Sequence, residues 1–236
     1  MRLYEFIIKE GGNVFKDENK VPVTIRINKA DVDPTLKWLE KIVGVDLVNN
    51  KLGSTGVTPT SGDLDVAIDD SKVSKDEMVA KLTAWAEKQG EEPKDWVRKS
   101  GINVHFKTPI KGNPKLGFVQ TDLMFGNPEW QRFALQGAGE GSEFKGMHRH
   151  ILMSSIAKYH GLKWAMNEGL KSRETNNLVT NDPAEIATIL LGPEGKPEDF
   201  RSVEAMIERI QDLPEYNELV ADARENFARD GLELPA

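Results

Sequence analysis

Residues 53–69 read GSTGVTPTSGDLDVAID. A loop of Gly, Ser, Thr and Pro runs straight into two acids, one residue apart, and an apolar stretch. Successive side chains of a strand point to opposite faces, so Asp63 and Asp65 share one face while Leu64, Val66 and Ile68 take the other and face a core. By backbone rise the two carboxylates lie roughly 6.6 Å apart. Like charges at that spacing repel unless water surrounds them or a cation lies between them. Hard divalent cations such as Mg²⁺ take oxygen ligands and often use only two or three carboxylates.

Upstream, Gly53-Ser54 and Ser61-Gly62 offer backbone N–H groups and hydroxyls that can approach a phosphate closely. A third acid, Asp122, stands in FVQTDLMF. There Leu123 and Phe125 share one face, and Asp122 and Met124 the other. A strand paired beside DLDVAID would bring Asp122 to the same end. Carboxylates, a divalent cation and a phosphate-binding loop together point to phosphoryl or nucleotidyl transfer, in which two metals would stabilise the attacking and leaving oxygens.

The chain has 236 residues, 39% hydrophobic and 29% charged, a composition that fits a soluble, cytoplasmic protein with a sizeable core. No stretch approaches the ~18 apolar residues of a membrane span. With no Cys, disulfides and thiolate ligands are excluded. The net charge of −7 argues against a broad, nonspecific nucleic-acid binder. One segment runs the other way: from Phe144 to Arg173 there are six Lys or Arg against a single acid, Glu168, and three of the four His.

Outward from the quoted stretch, Leu3–Ile8 and Val21–Ile27 predict strands. Asp33-Pro34 predicts a helix start, with Leu36, Leu39, Ile42 and Val43 at helical spacing and Gly44 as its stop. Ser74 and Glu77 form a capping-box pair before a helix carrying Met78, Val79, Leu82, Trp85 and Ala86. Residues 91–100 read as a charged loop or short helix, and 101–126 as a β-hairpin with Ile102, Val104 and Phe106 alternating. Helices are expected from Asn127-Pro128, over Met147–His160, from Asp182-Pro183, and over about Ser202–Gln211 and Pro214–Arg229. The Gly-rich stretch Gly137–Gly141 is the domain boundary. The fold class is α+β: a β extension over 1–35, a sheet domain over 36–136, and a mainly helical domain over 142–236.

The pattern Gly53-Ser54, then Ser61-Gly62-Asp63-Leu64-Asp65-Val66, resembles the nucleotidyltransferase superfamily of DNA polymerase beta, the family X polymerases above all. GLKWAMNEGL (161–170) and NDPAEIATILLG (181–192) resemble its thumb more loosely. The resemblance implies a palm with a mixed sheet and flanking helices. It implies Asp63 and Asp65 as ligands of two Mg²⁺ ions (Mn²⁺ as a substitute), and Asp122 as ligand of the catalytic metal. Gly53, Ser54, Ser61 and Gly62 would hold the triphosphate of an NTP. The family's polymerases carry an Arg between Gly-Ser and the first Asp, and this loop has no basic residue. Lys145, Arg149 and His150, at the start of a helix, are therefore expected to contact the nucleotide, since a helix N-terminus favours phosphate. His148 and His150, two apart on a helix, do not share a face and are not expected to bind zinc.

The activity implied is transfer of a nucleoside monophosphate to a hydroxyl with release of pyrophosphate. A nucleic-acid 3′-OH is the favoured acceptor, a tRNA 3′ end among the candidates, as in CCA-adding enzymes. Adenylyl transfer to a small molecule or protein is the second reading, and a nucleotide-binding sensor without turnover the third.

Overall fold

A computed structural model describes residues 13–137 and 142–234. The expected strand Leu3–Ile8 and most of the Gly137–Gly141 boundary lie outside the described residues. The chain is α+β with a mixed sheet, and it divides into two units, Met1–Gln131 and Arg132–Ala236. No helix among the described residues is long and apolar enough to cross a membrane.

In the first unit, β1 (Ile27–Asn28) pairs antiparallel with β2 (Thr60–Ser61). This corrects the strand expected over Val21–Ile27: Val21, Val23 and Ile25 are exposed, and that stretch makes only isolated links, such as Ile25 N–H to Phe118 O at 2.7 Å. Helix α1 (Lys29–Val43) follows at once. It begins five residues before the expected start, with Lys29 in place of Pro34 as the first helical residue, because the β1–β2 pairing brings the Pro59 carbonyl to the Lys29 N–H, satisfying one of the orphan donors of the first turn. Pro34 therefore sits inside the helix. Val32, Leu36, Leu39 and Val43 are its buried stripe, and Gly44 closes it in the left-handed region.

The main sheet has the order β3-β6-β5-β4, with β3 (Asp63–Asp69) parallel to β6 (Phe118–Gly126) and the remaining pairs antiparallel. Helix α2 (Lys75–Lys88) follows β3, its first turn capped by Ser74 Oγ, which accepts from Glu77 N–H. The loop or short helix expected over 91–100 is present in its first half, as a 3-10 turn over Pro93–Asp95, and strand β4 (Val97–Ser100) takes the second half; its charged residues suit an exposed edge. Strand β5 is Asn103–Pro109, so Ile102 falls in the preceding turn and is exposed, unlike Val104 and Phe106.

One face of the sheet is apolar. Leu64, Val66, Ile68, Val104, Phe106, Val119, Leu123 and Phe125 pack into one core with Leu36, Leu39, Met78 and Leu82 of the two helices. Trp38, Trp96 and Phe106 meet the Trp85 ring edge-on, at centroid distances of 5.4, 5.2 and 5.5 Å, the geometry favoured by aromatic quadrupoles. Gly112, in the β5–β6 connection, has φ +74°, and a Cβ there would stand 2.2 Å from Trp38 Nε1. Only glycine lets the turn close against that ring.

Helix α3 (Pro128–Ala134) spans the division. Asn127 Oδ1 caps it, accepting from Glu129 and Trp130 N–H. The second unit holds α4 (Gly146–Tyr159), α5 (Pro183–Leu191), α6 (Val203–Ile210) and α7 (Tyr216–Arg229). It also holds an antiparallel sheet of β7 (Leu162–Ala165), β8 (Gly169–Ser172) and β9 (Leu178–Thr180). The unit is mainly helical, as expected, and the small sheet is an addition to that expectation: GLKWAMNEGL is a strand, a turn and the start of a second strand, each too short to show a period.

A carboxylate cluster as candidate metal site

The other face of the main sheet is polar, and its register assembles the site. Asp65 on β3 stands opposite Asp122 on β6, and Asp122 opposite His105 on β5. One residue pair away, Asp63 stands opposite Gln120. Adjacent strands lie about 4.8 Å apart, so this row forces like charges together. Asp63, Asp65 and Asp122 each bring an oxygen within 4.8 Å of the others. This is the juxtaposition expected from the alternation of DLDVAID and FVQTDLMF.

Asp122 is buried and firmly held. His105 Nδ1 lies 2.7 Å from its Oδ1, and Gln120 Nε2 donates to its Oδ2 at 3.2 Å. His105 is fixed in turn by Ser100 Oγ, 2.6 Å from Nε2, and Gln120 by the Val14 N–H, which donates to its Oε1 at 2.8 Å. With its proton on Nδ1, His105 donates this hydrogen bond to the carboxylate and orients Asp122, as outer partners orient metal ligands. Sequence reading missed His105. Its alternation in β5 marks the polar face, but the register that sets it beside Asp122 is not written locally.

Asp63 and Asp65 have no ion-pair partner among the described residues. Burial, then the charges of Asp63 and Asp122, holds the Asp65 carboxyl well above the ordinary range. Burial, then Asp122, raises Asp63 as well, with Arg26 pulling the other way. Three oxygen donors whose mutual repulsion opposes ionisation fit a hard divalent cation.

The loop ahead of β3 is stitched to it. Leu52 N–H donates to Asp65 O at 2.9 Å, and Asp65 N–H donates to Thr55 Oγ1 at 2.9 Å. Gly53 and the exposed Ser54 are thereby set beside Asp65. Thr55, another residue the sequence reading passed over, makes the link. Ser61 is buried, and its hydroxyl accepts from Gly56 N–H at 3.3 Å, closing the loop on itself. Gly62 is exposed just before Asp63.

The basic residues of the second unit are largely engaged there. Arg149 is 1% exposed. Its guanidinium donates to the carbonyls of Phe200, Ala134 and Phe133 at 2.5, 3.0 and 2.6 Å. Burial lowers its pKa to about 10, so it remains charged at neutral pH. The expected nucleotide contact by Arg149 is therefore replaced by an internal role. His150 accepts from Trp164 Nε1 at 3.0 Å, and burial with the neighbouring Arg149 charge drives its pKa to about 3. A permanently uncharged ring cannot be a phosphate cation. His148 accepts from the Lys145 N–H at 2.9 Å and turns Nε2 to Asp230 at 3.1 Å, leaving neither nitrogen for zinc. Lys145 itself is exposed at the start of α4. Lys158 pairs with Asp222 and Lys171 with Glu168.

Compared with protein families and with curated proteins, the chain matches no family model and no curated sequence.

Proposed function

We propose that the chain is a divalent-metal-dependent nucleotidyltransferase, moving a nucleoside monophosphate from an NTP to a hydroxyl acceptor and releasing pyrophosphate. One observation carries the reading. Three carboxylates of two adjacent parallel strands converge within 4.8 Å, beside a Gly-Ser loop tied to the same strand. In this reading Asp63, Asp65 and Asp122 hold Mg²⁺ or Mn²⁺. Such ions would neutralise phosphate charge and lower the pKa of an attacking hydroxyl. Asp122, held at both oxygens, keeps its carboxylate aimed at the cluster. Gly53 and Ser54 offer a backbone N–H and a hydroxyl to the phosphates. Positioning and electrostatics supply the catalysis.

A nucleic-acid 3′-OH, tRNA included, is the first acceptor class, on the resemblance of the loop and acids to polymerase-type enzymes. A second reading, adenylyl transfer to a small molecule or protein, is favoured by a specific observation. Arg149, Lys158 and Lys171 are engaged within the second unit and the net charge is −7, so these residues offer no free basic stripe to a phosphate backbone. The deciding experiment is pyrophosphate release from each NTP and dNTP with Mg²⁺, with and without single-stranded and tRNA-like acceptors, wild type beside Asp65→Asn. Release that requires an oligonucleotide and disappears in the variant supports the first acceptor class. Release without one supports the second. Absence of release under every condition, with NTP binding intact, overturns the transferase in favour of a sensor.

A further inference from the structure

The loop from Gly53 to Gly62 contains no basic residue, yet a site for a polyanion beside three carboxylates needs positive charge of its own. The fold brings that charge from another part of the chain. Pairing of Ile27 with Ser61 and Asn28 with Thr60 continues one step to set Arg26 against Gly62, the residue before Asp63. The Arg26 guanidinium is anchored on one side: Nε donates to Thr60 Oγ1 at 3.0 Å and Nη2 to Thr60 O at 2.9 Å. Nη1 has no partner among the described residues. It lies over Gly62, where a Cβ would stand 3.1 Å from it.

Two further facts separate this arrangement from a surface arginine caught in a loop. Arg26 makes no ion pair with Asp63 or with any other carboxylate among the described residues. The free edge of the guanidinium is thus not consumed by the carboxylates. And the segment that carries Arg26 is fastened to the polar face: Val14 N–H donates to Gln120, the residue that holds Asp122, and Phe15, 2% exposed, lies beneath Arg98. Val14 and Phe15 thus tie the start of this segment to the sheet that carries the acids. Lys29 and Lys51 also flank the loop, but Lys29 Nζ donates to Val57 O at 3.1 Å and Lys51 pairs with Asp33.

We propose that Arg26 is the phosphate-contacting cation of this site, its free Nη1 edge taking an oligophosphate such as the triphosphate of an NTP. The inference rests on the transferase reading for the identity of the ligand. A guanidinium fixed by Thr60 presents parallel N–H donors to phosphate oxygens at little entropic cost, which an ammonium cannot reproduce. A Cβ at position 62 would stand 3.1 Å from Nη1, so a larger residue there would require the guanidinium to shift by a few tenths of an ångström.

The test is calorimetric binding of inorganic tripolyphosphate and of ATP, without metal and with Ca²⁺, to the full chain and its Arg26→Ala, Arg26→Lys and Lys29→Ala variants, with thermal melting of each. Arg26→Ala is expected to weaken tripolyphosphate binding about 10- to 100-fold with little change in Tm, a charge-assisted bidentate contact having about that value. Arg26→Lys should recover part of the loss, and Lys29→Ala should change binding less than about 3-fold. Should Arg26→Ala melt early, Thr60→Val, which removes only the side-chain anchor, serves instead and is expected to weaken binding by a smaller factor at unchanged Tm. Wild-type binding with Arg26→Ala unaffected overturns the role of Arg26 and leaves the transferase reading standing. No binding of either ligand by the wild-type chain overturns both.

Discussion

Two groups of charge in this molecule are treated in opposite ways. In the second unit, Arg149 is enclosed and its guanidinium meets three backbone carbonyls. In the first, Asp63, Asp65 and Asp122 are drawn together, their carboxylate oxygens within 4.8 Å of one another. A buried charge with its donors satisfied contributes to a fold; a cluster of like charges raises the energy of the fold unless protons or a cation relieve it. In the proposed reading the satisfied charge serves stability and the repelled cluster serves function, the opposite of what the sign of local charge suggests, since the basic segment was the expected phosphate site.

The comparison breaks first at the acids. Asp65→Asn should lower pyrophosphate release by roughly 10³-fold. The same change should raise Tm by about 3 °C, because it removes a repelled carboxylate. A variant that loses both activity and stability would mean that Asp65 is structural. Next comes Arg149→Met, which orphans three carbonyls and should cost about 3 kcal/mol in denaturant unfolding, with NTP affinity of the folded protein unchanged. A weakened affinity at unchanged stability would return Arg149 to the site. His105→Ala should weaken Mn²⁺ binding, measured by electron paramagnetic resonance, about 10- to 100-fold, and His105→Asn less.

The smallest effect is the pH dependence. The raised Asp63 and Asp65 carboxyls hold protons in the fold that the unfolded chain has released. Their contribution to stability is therefore fully present below the unfolded value near 3.8 and declines as pH rises through the raised values. Without metal, Tm should show this decline above about pH 4, and Asp65→Asn should flatten it. Saturating Mg²⁺ should raise Tm at neutral pH by mass action, about 2.7 kcal/mol at 100-fold excess over Kd, and less as acid protonates the ligands.

What was legible followed from short-range periodicity. The alternation of DLDVAID and FVQTDLMF placed three acids on one face, because side-chain direction on a strand is a local property of the backbone. Ser74, Asn127 and Asp182 marked helix starts for the same reason: a cap acts over three residues. What was not legible depended on pairing. Asp33-Pro34 looks like a helix start until the Pro59 carbonyl meets the Lys29 N–H. GLKWAMNEGL carries too few residues per strand to show a period. Arg149 looks like a solvated cation until the carbonyls of Phe133, Ala134 and Phe200 surround it.

By itself, then, the sequence determined the chemistry on offer: three carboxylates, a Gly-Ser loop, no thiols, an acidic balance. Tertiary structure alone decided which groups meet. Strand register joins Asp122 to Asp65 and His105, and a two-residue pairing carries Arg26 across 34 positions to Thr60. Side-chain direction is fixed by each residue's own backbone, whereas register and burial are fixed by the energy of the whole assembled core.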